Sequence, residues 1–468
     1  MIDSVAAISG AVAARAEQVA QMRAFIAGRA AVLASEDYLT RLPGHSDKTY
    51  KLYAGRSYFL NATARSIDGL TGLIFRKPPV MIIPAAFEPY AEDLTRAGQS
   101  AAKFAEQVAE EVLTAGYCGV LVDHPEGRDD LPNKASAEAA NIRPYARLYT
   151  AESILGWRET VLGSDKALAQ VRLLERTEEA DPDDQFATIT TERVRVLDLD
   201  EGSYRVRVYQ KQGEDWIQLS EAWPQIDGQR QARIPFRFFN RRGAEATAAK
   251  PPLLDLAQTN CAHLNDSALY QWGLMWTANP TPCFVNLKIE EGEAVALGSS
   301  SGLMFGEGGS ASFLEFGGQG LGSIRQAMED KRRDMAVLGA RMLMEDRKQV
   351  EAAETAGIHR AGENSVLAAI ASSISAGMVW VLERVSVWAG LGEQEIRFEL
   401  NQDYVAVQMD AQKLTALIQA WQGGGISRAE LFENLQRGEV VSSEKTLEEH
   451  EDELEMEAPI LTGATDAS

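Results

Sequence analysis

The chain has 468 residues, 45% apolar and 24% charged, enough for a folded protein of roughly two to four domains. Its formal charge of −22 excludes a protein that coats nucleic acid through a net basic surface. Three widely spaced cysteines, Cys118, Cys261 and Cys283, with no CxxC, exclude a disulfide scaffold and point to reduced thiols made in a cytoplasm.

Asp3 and the absence of a basic leader predict an amphipathic helix over residues 5–33, not a signal peptide. A loop with a Pro-Gly break follows at 38–46, then a helix over 48–75 with broad apolar faces. Pro78-Pro79 stops it, because proline cannot continue a helix. A short strand is expected at 80–83, helices at 87–97 and 101–115 with Gly116 as C-cap, and a buried strand at 118–123. Strand-like runs at 154–161, 169–175, 187–199, 204–210 and 216–219 alternate with turn signals and predict a β meander wet on one face. Another strand is expected at 234–239, before the Arg241-Arg242-Gly243 turn.

Pro251-Pro252 opens an apolar helix at Leu253. Ten glycines between Gly292 and Gly322 then punctuate β-prone runs at 294–297, 302–305 and 312–316. A second helix, 324–344, leaves this insertion with Ile324, Ala327, Met328, Met335, Leu338 and Met342 as its packed stripe. The two helices should run antiparallel, with the insertion as a projecting tip. A charged, Ala-rich stretch at 346–357 precedes 19 uncharged residues, 364–382. Serines dilute that run, so a buried packing helix over 364–389 is expected in place of a membrane span, which needs about 20 mostly apolar residues. A strand at 395–400 and helices at 409–421 and 428–435 complete an α+β reading: mostly helical, with a meander and a small β insertion. Residues 444–457 carry eight acids and one Lys, the pattern of a solvated tail.

Catalytic signatures are missing. There is no G-x-x-x-x-G-K-[ST] phosphate loop and no G-x-S-x-G nucleophile elbow. Residues 306–311 match G-x-G-x-x-A, but a strand is expected after them where a dinucleotide site needs a helix. Asp181, Asp183 and Glu192 mimic a calcium loop with Phe186 where Gly is required, so they read as an acidic turn. The five histidines show no metal-ligand spacing, and Asp123-His124 reads as a strand-end turn.

Several local runs, together, resemble the portal proteins of tailed double-stranded DNA phages. They are Tyr58-Phe59-Leu60-Asn61-Ala62-Thr63, Asp68-Gly69-Leu70-Thr71-Gly72-Leu73-Ile74-Phe75-Arg76-Lys77, residues 119–123, Asn279-Pro280-Thr281-Pro282 and Arg360-Ala361-Gly362-Glu363-Asn364. The resemblance spans about Tyr38 to Val441. It implies a portal fold of wing, stem, clip and crown. The wing would take 1–252 and 359–408, the stem helices 253–278 and 323–344, the clip 279–322, a tunnel loop 345–358 and the crown 409–442, with 443–468 a flexible acidic tail. It also implies a ring, usually a dodecamer, at one capsid vertex, assembled in the bacterial host cytoplasm. The ring would form the channel for DNA packaging and ejection and carry the packaging motor and tail. Double-stranded DNA, the terminase large subunit, the major capsid protein with its scaffold and a head–tail adaptor are the implied partners, with no membrane, no cofactor and no enzymatic activity. In the tunnel loop Arg347, Lys348, Glu351 and Glu354 would face DNA. Leu303, Phe305, Phe313 and Phe316 would form the clip interface.

An acidic channel suits that role. Duplex DNA carries one charge per roughly 1.7 Å, and basic walls would hold it through counterion release. A nucleotide-hydrolysing motor subunit or other enzyme is the first alternative, disfavoured by the missing phosphate loop. A membrane-embedded pore is the second.

Overall fold

The computed structural model describes residues 5–125, 141–181, 184–226, 228–288, 295, 302–315, 317–340, 365–392, 394–402, 404, 411–423, 425–437, 440–441, 445–447, 449–450 and 453. The chain forms two compact units, Met1–Ala353 with Glu363–Gln402, and Glu354–Gly362 with Asp403–Ser468.

The first unit begins with α1 (Gly10–Ala27), α2 (Arg29–Leu33), α3 (Asp47–Arg56) and α4 (Ala62–Ile74). Next come β1 (Val80–Ile82), α5 (Glu88–Glu92), α6 (Ala101–Ala115), β2 (Tyr117–Asp123) and β3 (Tyr145–Tyr149). The meander is β4 (Ile154–Leu162), β5 (Asp165–Ala180), β6 (Thr188–Asp200), β7 (Ser203–Gln212) and β8 (Asp215–Ala222). A short pair, β9 (Gln225–Ile226) and β10 (Gln229–Arg230), leads to β11 (Phe236–Asn240) and α7 (Leu254–Ala278). After them come β12 (Thr281–Leu287), β13 (Phe305–Leu314), α8 (Leu321–Ala340), α9 (Val366–Trp388) and β14 (Arg397–Glu399).

The helix expected over 5–33 is shorter and broken. Residues 5–9 are held to the meander instead: the Ser9 N–H donates to Leu155 O at 2.8 Å, and Val5 is buried beside Leu155, Val194, Val196 and Tyr209. The helix expected over 48–75 splits into α3 and α4. Between them the Tyr58 N–H donates to Ser267 Oγ, and that hydroxyl donates to Tyr58 O, so this backbone is spent on α7. The helix expected over 87–97 contracts to α5, because Asp93 Oδ1 accepts from the Gly98 N–H at 2.8 Å and closes a loop. By contrast α6 spans the expected residues, with Gly116 in the left-handed C-cap.

At the centre lies a three-stranded antiparallel sheet, β11-β2-β3, in which every residue of β2 is buried. This explains the unbroken apolar run Val120-Leu121-Val122, since a strand covered on both faces has no solvent side to alternate with. The long apolar helix α9 packs on this sheet. A Cβ on Gly377 would lie 2.1 Å from Phe239 Cε1, so only glycine lets the helix approach this closely. Ser373 Oγ donates to Asn240 O on the same strand. Among the described residues α9 is the one helix long and apolar enough to cross a membrane, and half of its most apolar stretch is buried within the protein.

The meander forms one antiparallel sheet in sequence order. It is not wet on one whole face, as the alternation predicted. Near β4 one face packs Val171 and Leu173 against Tyr204, Phe236 and Phe238, while the other packs Val194 and Val196 under Val5. The far ends of the strands are exposed on both sides.

A buried polar junction joins meander and central sheet. On β6, Arg195 reaches Glu175 Oε1 at 2.9 Å and Asp123 Oδ2 at 3.2 Å. Arg147 also forms an ion pair with Glu175 Oε1, the Tyr149 hydroxyl donates to the same oxygen, and the Tyr145 hydroxyl donates to Asp123 Oδ2. Burial, reinforced by Asp123, pushes the Tyr145 hydroxyl up to about 12, and burial with Glu175 pushes Tyr149 well above its usual value. The unfolded chain therefore releases these protons first. The stability they confer is complete below about pH 10 and is lost as pH climbs through the raised values. Thermal melts should show stability falling above about pH 10, with a shallower fall in Tyr145→Phe. A flat profile to pH 12 would contradict this junction.

In the second unit α10 (Ala411–Gln422) and α11 (Arg428–Arg437) flank the glycines at 423–425. α11 opens on a reciprocal cap: the Glu430 N–H donates to Ser427 Oγ and the Ser427 N–H to Glu430 Oε2. Thr446 and Glu449 repeat that cap within the acidic run, and the His450 ring lies 5.2 Å from buried Phe432. The run is therefore not solvated throughout.

Candidate functional site

The two helices expected around the Gly-rich insertion are α7 and α8, and they are antiparallel. A Cβ on Gly318, just before α8, would lie 3.4 Å from Thr277 Oγ1; midway, Lys331 Nζ meets Asp266 Oδ2 at 2.6 Å; further along, a Cβ on Gly339 would lie 3.8 Å from Leu256 Cδ1. Numbers fall along α7 as they rise along α8.

α7 begins inside the protein. Leu256, Asn260, His263, Leu264, Ser267 and Ala268 are buried at helical spacing, against α3, α4 and α8. Burial lowers the His263 pKa, and its Nδ1 has no partner among the described residues. Toward the other end the helix emerges: residues 276–279 are exposed. An aromatic file follows it outward, Tyr53 to Trp272 to Trp276 at 5.9 and 6.0 Å between rings. α8 begins at Leu321, three residues ahead of the expected start at Ile324, where the Leu321 N–H donates to Gly318 O. Of its expected stripe Met335 is buried, while Ile324, Ala327, Met328 and Leu338 are half-buried; Met342 lies outside the described residues.

Between the helices β12 and β13 form a two-stranded antiparallel hairpin. Of the expected runs at 302–305 and 312–316, Phe305 opens and residues 312–314 close the single strand β13, residues 302–304 precede it, and Phe316 and most of 294–297 lie outside the described residues. The register jumps from Val285↔Ser310 to Leu287↔Phe305, so residues 306–309 bulge opposite Asn286. Gly308 has φ +71, which the bulge requires and a side chain would strain. The G-x-G-x-x-A run thus serves a strand bulge, and no helix follows it directly. Each strand has one neighbour, so both outer edges are unpaired among the described residues. Val285, Met304, Phe313 and Leu314 are exposed, at 54%, 74%, 62% and 67%.

Of the expected interface residues, Leu303, just before β13, and Phe305, its first residue, are half-buried, and Phe305 lies 6.5 Å from Phe284 between rings. Phe313 is exposed near the other end of the strand. Phe316, Arg347, Lys348, Glu351 and Glu354 lie outside the described residues. Sequence reasoning missed β12, and with it Val285 and Phe284; it also missed Leu314.

The remaining candidate chemistry resolves into structure. Asp123 turns its carboxylate to Arg195 and Tyr145, while the His124 ring lies beside Trp388, so the two form no acid–base pair. The Asp181 N–H donates to Ala187 O in a turn between strands; Asp183 lies outside the described residues. Among the described residues no cluster of His, Cys, Asp or Glu could hold a metal ion, and all three cysteines are free.

Residues 252–389 match a family described as a domain of unknown function (DUF4055). That segment contains α7, the hairpin, α8 and α9. Among curated proteins none matches this chain. Solved structures that are similar include the virion of a native gene transfer agent (GTA) particle, at 14% identity over 86% of this chain and 97% of that one, with a TM-score of 0.39. The neck of an empty GTA particle computed with C6 symmetry is similar at 13% identity over 86% and 96%, with a TM-score of 0.39. The neck of the native particle computed with C12 symmetry is similar at 14% over 88% and 98%, also with 0.39. Scores this low carry no weight for fold or function.

Proposed function

We propose that this chain is a portal protein: a structural subunit of a closed ring in a phage-like particle, around a passage for double-stranded DNA. The observation that carries the reading is the α7–hairpin–α8 unit. It lifts two unpaired strand edges and four exposed apolar side chains to the end of two helices. A lone soluble chain rarely presents bare edges with apolar side chains. Copies arranged around an axis would cover each hairpin with its neighbour through contacts that close on themselves. The portal-like runs in the sequence support the same reading. In it the hairpin is the clip, residues 345–358 are the tunnel loop, Arg347 and Lys348 touch passing phosphates, and the role is structural, not enzymatic.

Native mass spectrometry and negative-stain imaging of the purified chain test this. The expected result is a closed homo-oligomer, a dodecamer by the resemblance, with an axial hole wide enough for duplex. Only one- and two-copy species, at low and high salt and with duplex DNA present, would overturn it.

A further inference from the structure

On α9, Trp380, Arg384 and Trp388 recur every fourth residue and so share one stripe. The stripe lines a cleft of about 650 Å³, walled on the other side by β11 and the chain on either side of it. Arg237 on β11 enters the cleft with its guanidinium 5.7 Å over the Trp380 ring. It is half-buried, and burial lowers its pKa. Neither the Arg237 nor the Arg384 guanidinium forms a hydrogen bond or ion pair with any described residue, and Arg384 Nε is shielded from solvent without a partner. This contrasts with the nearby meander, where Arg195, Arg205 and Arg207 each hold a carboxylate. Glu383 acts on Arg237 through its charge, but no described carboxylate is within hydrogen-bonding distance of either guanidinium, so in a chain with an excess of 22 acids the pair beside two indoles has room for a further anion.

We propose that this cleft docks an acidic peptide segment of a partner protein, a carboxylate held by Arg384 and Arg237 and an adjoining apolar side chain against Trp388. The volume suits a few side chains. Glu159 and Glu245 also line the cleft, and Arg233 at its rim is engaged by Asp165 at 2.9 Å. That mixed charge disfavours a nucleic-acid backbone, which needs a continuous basic track, and suits a ligand of few carboxylates. The docking site does not depend on the ring reading.

The test uses the full chain and a fluorescein-labelled peptide alternating Glu and Leu, followed by fluorescence anisotropy. A Gln–Leu peptide, a Lys–Leu peptide and a short DNA duplex are the comparison probes. Glu–Leu should bind best, and Arg384→Gln or Arg237→Gln should each weaken it by about tenfold or more, the usual loss for a charge-assisted hydrogen bond. Arg384→Glu should reverse the preference toward Lys–Leu. Circular dichroism checks each variant; if Arg237→Gln does not fold, the Arg384 variants decide. Equal binding of Glu–Leu and Gln–Leu, unchanged affinity in Arg384→Gln, or duplex displacing the peptide as well as unlabelled Glu–Leu does would each overturn the proposal. A peptide that binds wild type and Arg384→Glu alike would overturn it too.

Discussion

Replacing Arg195 with Met should lower the stability of the first unit by about 3–5 kcal/mol, the loss expected when a buried pair loses one partner. The cause is what the substitution leaves behind. Glu175 and Asp123 are both buried and both pair with Arg195. Without it Asp123 keeps the Tyr145 hydroxyl and Glu175 the more exposed Arg147 with Tyr149, so charge is left undercompensated in a poorly hydrated junction. The acid limb should move as well. Burial raises the Glu175 pKa, but the charges of Arg195 and Arg147, with hydrogen bonds from Tyr149 and Arg195, outweigh it and hold the carboxyl below its usual range. The unfolded chain therefore takes up this proton first. The contribution is complete above the usual carboxylate value and is lost as pH falls below about 4. Without Arg195 burial gains ground, the Glu175 pKa rises, and acid unfolding should begin at higher pH. Adding Glu175→Gln and Asp123→Asn to Arg195→Met should recover part of the loss, because neutral side chains cost less to bury. Urea titrations followed by circular dichroism would measure this; a loss under about 1 kcal/mol would show that the junction is hydrated.

On the proposed ring reading, Val285→Asp with Phe313→Asp should abolish ring formation and leave a folded single chain. Both side chains are exposed on the hairpin, so a carboxylate at either site stays in water and the fold loses little. Between copies the account differs. A carboxylate covered by a neighbour without a cation costs several kcal/mol, and a closed ring repeats that cost at every seam. If the proposed ring forms, native mass spectrometry should find rings of the unaltered protein and single chains of the double variant, with identical circular dichroism. Rings that persist in the variant would remove the hairpin from the seam and leave the helices to carry it.

The physical reason some elements were readable is that local pattern and global packing agreed. α6 has a serine cap, a 3.6-residue apolar stripe and a glycine stop, and its burial follows that stripe. The meander strands were readable from alternation and turn residues, though their extents were not: β5 runs on through 176–180, where its side chains are largely exposed. Failures came where a distant partner decided. Nothing local in residues 5–9 says that Leu155 will take the Ser9 N–H. The sequence Tyr-Ala-Arg-Leu-Tyr of β3 is short and carries an arginine, yet pairing with β2 makes it a strand. β12 was hidden by Pro282, which reads as a breaker. It is tolerated because this hairpin has free edges, where a missing N–H costs nothing. At the candidate site the glycines announced a β insertion correctly. Spacing alone could not say that four residues would bulge within a single strand.

The ladder of Val80–Ile82 against Arg397–Glu399, and the nearby hydrogen bond from Asn401 Nδ2 to Leu73 O across 328 residues, set the order in which the protein can be completed during synthesis. Leu73 and β1 leave the ribosome early and must wait for partners that emerge on the order of tens of seconds later, at ~5–20 residues per second. Within that interval α7, the hairpin and α8 are made, while Val80 and Ile82 lack their strand partner and the sheet lacks α9. A chain that stops before Arg397 therefore carries the hairpin but leaves Val80–Ile82 without its strand partner. Such a fragment exposes an unpaired strand edge, of the kind that templates aggregation, and lacks the buried Phe398 that the complete chain supplies.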